Sequence, residues 1–461
     1  VSVERTFKLK LFFLLTFLAV IVLTAFLAEP VSIALTVYFQ RNLASLPLPS
    51  RPAPHDRAEA NLQDLEDLRL LPGIDRSFSP AAKAAFLKGV DALSAQAAAL
   101  SPAGMEMAVS RLVALAGNGH TTVSLSQRAS QFGRIPVRFG WFADGLYVVQ
   151  GLPAFADLLG AQVLAIDGHR VECALSAVRP FISGTDERAR SQSTPILESP
   201  ALLQAVWPDT DGVQLTISLA NGGDRTLAAM PPARDASGWE TVLSNAPAIP
   251  LSLRTPDRVA LSAPLEKDGI YVRIDANDDD AQGPLTAQLD AILDGAPPGG
   301  WRWAVLDLRF NDGGDELKTM SFARALPKAV RSDGDIYILT GNATFSAAII
   351  TAARVKYFAG GRAHIVGERA GDRSQFWTDG GAPLVLRNSG IAIYHAYFKQ
   401  DWADGCHSIR LCHPYNLIYG VAAGDLTPEI TVGWRFSDYA EGRDTVMEAV
   451  AAMVNRSQSP N

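Results

Sequence analysis

Cysteine is scarce in this chain. Only Cys173, Cys406 and Cys412 occur in 461 residues, too few for a disulfide scaffold, so packing must hold the fold together. No CxxC pair is present and no Cys/His set has zinc-finger spacing. Cys406 and Cys412 flank His407, with His413 following; a local disulfide, or two free thiols, is preferred to a metal hairpin, because a structural zinc usually takes four ligands from at least two segments. Long basic runs are missing as well. With 41 Lys and Arg against 48 Asp and Glu the formal charge is −7, which argues against a nucleic-acid partner. Charged residues make up 19% and hydrophobic residues 48%, a balance that excludes long disorder. The length suggests about three domains.

One long hydrophobic run is present. Leu11 to Ala28 is eighteen residues without a charge, about 27 Å as a helix and close to the thickness of a bilayer core. Arg5, Lys8 and Lys10 precede it, so the bulk of the chain is expected on the extracytoplasmic side, periplasmic or extracellular. A cleaved signal peptide is the rival; the run exceeds the usual h-region and ends Phe-Leu-Ala before Glu29-Pro30, which favours an uncleaved anchor over residues 1–42. Those residues carry +2 of the formal charge, leaving −9 on the rest, an acidic body that anionic lipid would repel. Residues 43–55 are proline-spaced (Pro47, Pro49, Pro52, Pro54) and read as a polyproline linker that holds the body off the membrane.

Residues 56–128 have helical periodicity. Ser79-Pro80 and Ser101-Pro102 place an N-cap before a first-turn proline, followed by Phe86, Val90, Leu93 and Ala97 on one face and Val109, Leu112, Val113 and Ala116 on the next. Over 129–227 the period shortens to that of strands, with an Asp167-Gly168 turn. From 250 to 455 strands alternate with helices: Ile270–Ile274, Trp303–Leu308, Ile336–Leu339 and Ala363–Val366 are separated by helical stretches. That order implies a parallel sheet with right-handed crossovers, whose sites form beyond the carboxyl ends of the strands. The fold class is therefore mixed α/β.

Two loops at those ends carry candidate chemistry. Asn311-Asp312-Gly313-Gly314 follows a strand; paired glycines bring backbone N–H groups close to a ligand, as an oxyanion hole requires, although the same residues make an ordinary turn. Thr344-Phe345-Ser346-Ala347 joins a strand to an apolar helix, which suits a nucleophile backed by a helix N-terminus, although most serines so placed are N-caps. Lys356 lies ten residues along that helix, about 15 Å away, and cannot serve Ser346 as base. Among seven histidines, His120 stands out in a glycine-flanked loop that leaves its ring free to turn; His169, His364 and His395 are more readily structural. Asp278-Asp279-Asp280 cannot all face one metal and reads as a solvated loop; the tryptophans read as packing.

Taken in order, these pieces resemble the serine peptidase family of the C-terminal processing (tail-specific) proteases, which also includes the tricorn core protease and retinoid-binding repeats. The resemblance rests on Gly119-His120-Thr121, Leu158-Leu159-Gly160-Ala161 before Val163 to Gly168, Asp307 to Asn311 with Gly313-Gly314, Thr344 to Ala347, Val366-Gly367-Glu368, and the terminal Thr427-Pro428-Glu429-Ile430 with Gly442-Arg443-Asp444. It spans about residues 56–455. It implies a PDZ-like domain over 129–227 and a peptidase core of the ClpP/crotonase-like type over 250–455. It also implies Ser346 as nucleophile, with the N–H groups of Gly313 or Gly314 and of Ala347 as the oxyanion hole. The processing branch has a lysine after Gly-Glu-x-x-Gly, but Gly367-Glu368-Arg369-Ala370-Gly371 is followed by Asp372. A carboxylate is not expected to replace that base, so the chain fits the tricorn-like branch, with His120 as base. Two features depart from that branch: its serine before the histidine is here Gly119, and its acidic partner has three candidates, Asp401, Asp404 and Glu368.

The expectation is a membrane-anchored serine endopeptidase acting on protein or peptide substrates, with no metal or organic cofactor. The PDZ-like part would bind a chain end by strand addition if its groove stays open. A catalytically inactive binding module on the same fold is the alternative, and a membrane adaptor a third. Oligomeric state, substrate and cleavage preference stay open.

Overall fold

A computed structural model of the chain describes residues 48–232 and 238–457. The expected anchor lies outside the described residues, and among those described no helix is long and apolar enough to cross a membrane. The described half of the proline stretch is not a free spacer. Leu48 packs on the helical core, Arg51 pairs with Glu66 and Asp67, and Gln63 donates to the Pro52 carbonyl.

Helix α1 (Arg57–Leu68) opens the region, and α2 (Pro80–Ser94) and α3 (Pro102–Val113) form where the caps indicated. Ser79 accepts the Ala82 N–H and Ser101 the Gly104 N–H, while Phe86, Val90 and Val109 are fully buried. This core is completed from far along the chain by Leu384, Leu386, Ile391 and Ile393. Alternate turns of α3 face elsewhere, Ala103 and Met107 packing into the neighbouring β-rich core.

That second core is an antiparallel sheet in chain order, β1 (Val137–Phe142), β2 (Gly145–Gly151), β3 (Gln162–Ile166), β4 (Gln214–Leu219) and β5 (Asp224–Ala228), with α4 (Val171–Val178) and α5 (Asp186–Gln192) between β3 and β4. The open groove that strand addition requires is not present along β1. The Ile135 and Phe139 N–H groups donate to the Glu198 carbonyl and carboxylate at 2.8 Å each, and Ala143 donates to the Trp434 carbonyl at 2.8 Å. Segments of the same chain therefore cover this edge, and Ile196 and Leu197 fill the space beside it. Burial pushes the Glu198 carboxyl up to about 7 against the pull of Arg138 and Arg134.

The third region is a six-stranded sheet. Strand β6 (Ala260–Leu265) is antiparallel to β7 (Gly269–Ile274), and β7, β8 (Trp303–Asp307), β9 (Ile336–Thr340), β10 (Ala363–Gly367) and β13 (Ile430–Thr431) run parallel. Helices α6 (Leu285–Asp294), α7 (Met320–Ala329) and α8 (Ala347–Ala359) make the crossovers. The strands are apolar on both faces, as a buried parallel sheet requires. Val272, Leu306, Ile338 and Ile365 meet the crossover helices; Tyr271, Val305, Leu339 and Val366 meet Val446, Val450 and Val454 of α9 (Thr445–Ser457). In register, Asp307 lies beside Leu339 and Thr340 beside Gly367, so the loops after β8, β9 and β10 leave at one edge. An antiparallel ribbon, β11 (Gln375–Asp379) with β12 (Ala396–Asp401), follows β10. Cys406 and Cys412 are joined by a disulfide, S–S 2.13 Å.

Candidate active site

The β9–α8 turn sets Ser346 apart from an ordinary cap. Its backbone is at φ 53°, ψ −121°, and its side chain makes no capping bond, although serine so placed usually caps. A non-glycine residue in that region stores about 1–3 kcal/mol of strain and persists only where neighbours impose it. Thr344 Oγ1 donates to the Leu308 carbonyl at 2.8 Å and accepts the Gly341 N–H at 2.9 Å. Phe345 N–H reaches the Asn311 carbonyl at 3.0 Å, and Gly371 N–H reaches the Thr344 carbonyl at 2.8 Å. The three loops are thus stitched together around the serine.

Glycine is required beside it. A Cβ on Gly313 would sit 2.7 Å from Ser346 Cβ, and one on Gly314 2.6 Å from the Asn277 carbonyl oxygen. The two are not equivalent as oxyanion donors. Gly313 N–H is committed to Asn311 Oδ1 at 2.8 Å, which removes it from the expected set. Asn277 engages the peptide groups on either side of Gly314, and Gly314 and Ala347 N–H have no acceptor among the described residues. The Asn311 amide itself donates to Asn277 Oδ1 at 2.9 Å. Arg309, two residues earlier, clamps Asp307 and the Asp444 carboxylate, so Asp444 of the terminal motif anchors α9 to this strand.

His120 comes from the far amino-terminal loop, and its Nε2 lies 2.9 Å from Ser346 Oγ. The imidazole is not free to turn, contrary to the expectation from its glycine flanks. It stacks between Phe345 (centroids 4.4 Å apart, 26° between planes) and Phe376 of β11 (4.9 Å, 13°). Its loop is fixed by a reciprocal pair of bonds between the Asn118 amide and the Trp377 backbone, and by Thr121 Oγ1 donating to Asp75 at 2.7 Å. Gly119 is a fitted departure: a Cβ there would lie 2.7 Å from the Phe345 ring and 3.0 Å from Asp372 Oδ2. Burial, with help from Arg188, pushes the imidazole down to about 3, so it is neutral at pH 7 and of low basicity in this resting arrangement.

None of the three expected orienting carboxylates touches His120. Asp401 and Asp404 share the Gln375 amide, and Asp401 also pairs with Lys399; Asp401 ends β12 and Asp404 lies in the bend that follows it. Glu368 lines a cavity of about 250 Å³ with Arg190, Trp141, Phe310 and Trp434. The carboxylate beside the ring is Asp372, its Oδ2 3.8 Å from His120 Nδ1. The residue that marks the missing lysine is thus at the site. Arg188 of α5 lies 3.5 Å over the Phe345 ring and pairs with Asp312. Thr185, which caps α5, donates to the Gly371 carbonyl at 2.9 Å, tying the β-rich part to the site.

Other candidates have structural partners. Lys356 Nζ bonds the Asp425 carbonyl, His169 stacks on Trp207, and His364 lies between Asp335 and Glu429. Asp279 pairs with Lys318 and accepts the Leu285 N–H. Among the described residues no group of three or more His, Cys, Asp or Glu side chains could hold a metal ion.

No family model matches the chain, and no curated protein matches it in sequence. Solved structures do match. Mature CPAF complexed with lactacystin is 13% identical and aligns over 87% of this chain and 99% of its own, with a TM-score of 0.54; mature CPAF alone gives the same values. The chain therefore shares the fold of CPAF. The photosystem II D1 C-terminal processing protease, at 14% identity over 81% of this chain and 93% of its own, has a TM-score of 0.36, too low to add to that statement.

Proposed function

We propose that the chain is a serine endopeptidase of the C-terminal processing type, with Ser346 as nucleophile and His120 as general base. The observation that carries this reading is the 2.9 Å contact between Ser346 Oγ and His120 Nε2, made by residues 226 apart in sequence. A strained serine that declines to cap its helix, against a neutral imidazole clamped on both faces, is the arrangement nucleophilic catalysis needs. Ser346 Oγ attacks the scissile carbonyl as its proton passes to Nε2. The N–H groups of Gly314 and Ala347 take the oxyanion, and the imidazolium returns the proton to the leaving amine. Water, deprotonated by the same ring, then releases the acyl group from Ser346. Likeness of fold does not itself establish activity.

The substrates in this reading are protein or peptide chains. The 129–227 part is PDZ-like, but with β1 covered it acts on the cleft through α5, Arg188 and Thr185 rather than by adding a strand. Anchoring through residues 1–42 with an extracytoplasmic body is supported by the apolar run, its basic flank and the Cys406–Cys412 disulfide, since such bonds persist in oxidising compartments. The low basicity of the resting His120 favours, as a second reading, an inactive binding module on the same fold. A fluorophosphonate probe separates the two: covalent labelling that disappears in Ser346→Ala and slows in His120→Ala supports the peptidase. Absence of labelling between pH 6 and about 9 rejects it.

A further inference from the structure

The serine side of the imidazole is complete, and the other side is open. His120 Nδ1 and Asp372 Oδ2 are both buried and both lack a hydrogen-bond partner among the described residues, and they lie 3.8 Å apart. Buried polar atoms in folded proteins are paired, and an orphan calls for a reason. Two orphans placed against each other, one on each of two loops, are a hydrogen bond held open by about 1 Å.

We infer that Asp372 is the positioning carboxylate of this site, closing on His120 to accept the Nδ1 proton and hold the tautomer whose Nε2 faces Ser346. The inference rests on the peptidase reading above. To take the serine proton, Nε2 must be bare, so the single proton of the neutral ring sits on Nδ1 and requires an acceptor. The Phe345 and Phe376 stack prevents the ring from turning to find another. Asp372 is already aimed, its Oδ1 accepting the Arg373 N–H at 2.8 Å. The missing side chain at Gly119 leaves the space through which the carboxylate approaches, since a Cβ there would stand 3.0 Å from Oδ2.

The charge states agree. Burial raises Asp372 to about 6, against the pull of the Arg373 N–H, Arg188 and Arg373, so at pH 7 and above it is mostly ionised while the imidazole is neutral. When Ser346 gives its proton to Nε2, the imidazolium faces a full negative charge; the proton goes on to the leaving amine and Asp372 gains none. The position that holds a lysine base in the processing branch would thus hold the partner of a base instead. The charged and titratable groups facing the carboxylate are His120, Arg188 from α5 and Arg373 from its own loop.

The test is the rate of fluorophosphonate labelling of the full chain across pH 5 to 9, in wild type, Ser346→Ala, His120→Ala, Asp372→Asn, Asp372→Glu and Asp404→Asn. Asp372→Asn should slow labelling by about 10²- to 10⁴-fold, Asp372→Glu should recover at least about tenfold of that, and Asp404→Asn should match wild type. The wild-type rate should rise with pH through an inflection near 6, absent in Asp372→Asn and assigned to the coupled pair. Wild-type behaviour of Asp372→Asn, with Ser346→Ala dead and His120→Ala slow, overturns the inference and leaves the peptidase reading standing. A slow Asp372→Asn that keeps the inflection, or that glutamate does not rescue, also overturns it by assigning a structural role. Labelling that survives Ser346→Ala, or is absent from wild type, rejects the peptidase reading itself.

Discussion

The two halves of the site are built differently. Around Ser346 and the glycine loop many hydrogen-bonding groups are engaged, Thr344, Phe345, Asn311 and Gly313 each having partners at 2.8–3.0 Å. Around His120 the ring itself is held by stacking, and two polar atoms are buried without partners among the described residues. One half is set in advance by hydrogen bonds; the other is held by apolar faces, which restrain tilt while permitting a small slide. The Ser346 half stores its strain in one φ angle, and the His120 half stores its cost as missing hydrogen bonds.

The most direct way to break this contrast is Ser346→Ala, expected to lower peptide hydrolysis by about 10⁶-fold with the fold unchanged by circular dichroism. Next is the glycine before the histidine. Gly119→Ser would install the residue of the tricorn-like pattern, yet its Cβ meets the Phe345 ring at 2.7 Å; labelling should slow by about 10²-fold, as for small misplacements of a catalytic group. On the rigid side, Asn311→Ala strips the acceptor from Gly313 N–H and the donor to Asn277, and should cost about 1–3 kcal/mol in urea unfolding.

A smaller effect sharpens the contrast by its sign. Asp372 has a folded pKa raised to about 6 against about 3.9 unfolded, so the folded chain binds the extra proton between those values. Stability falls as pH rises through that window, and above pH 6 the full cost is present, about 2–3 kcal/mol. Asp372→Asn should therefore melt higher than wild type at pH 8 and no higher at pH 4, while labelling more slowly. Equal melting temperatures at pH 8 would remove the cost assigned to that carboxylate.

The parallel sheet was legible because its strands are unbroken apolar runs with helices between them, and the caps at Ser79 and Ser101 carry their signal within four residues. Ser346 and His120 were legible through short motifs. What brings them together was not: Phe376, Asn118 with Trp377, and Arg188 act across separations with no local period. The covering of β1 was hidden because the residues around Glu198 have neither strand nor helix spacing. Asp372 is hidden in another way, since a carboxylate in place of a lysine base looks like a loss. The signal lay in two departures that are spatial complements, a side chain gone at 119 and an acid gained at 372.

Phe345 and Phe376 lie against the His120 ring on both faces, so swinging the histidine aside would have to displace one of them. Separating the strand carrying Phe376 from the turn carrying Phe345 is the other route, and it parts His120 and Ser346 together. Shutting the site down would then be a cooperative opening of the whole cleft rather than the motion of one side chain.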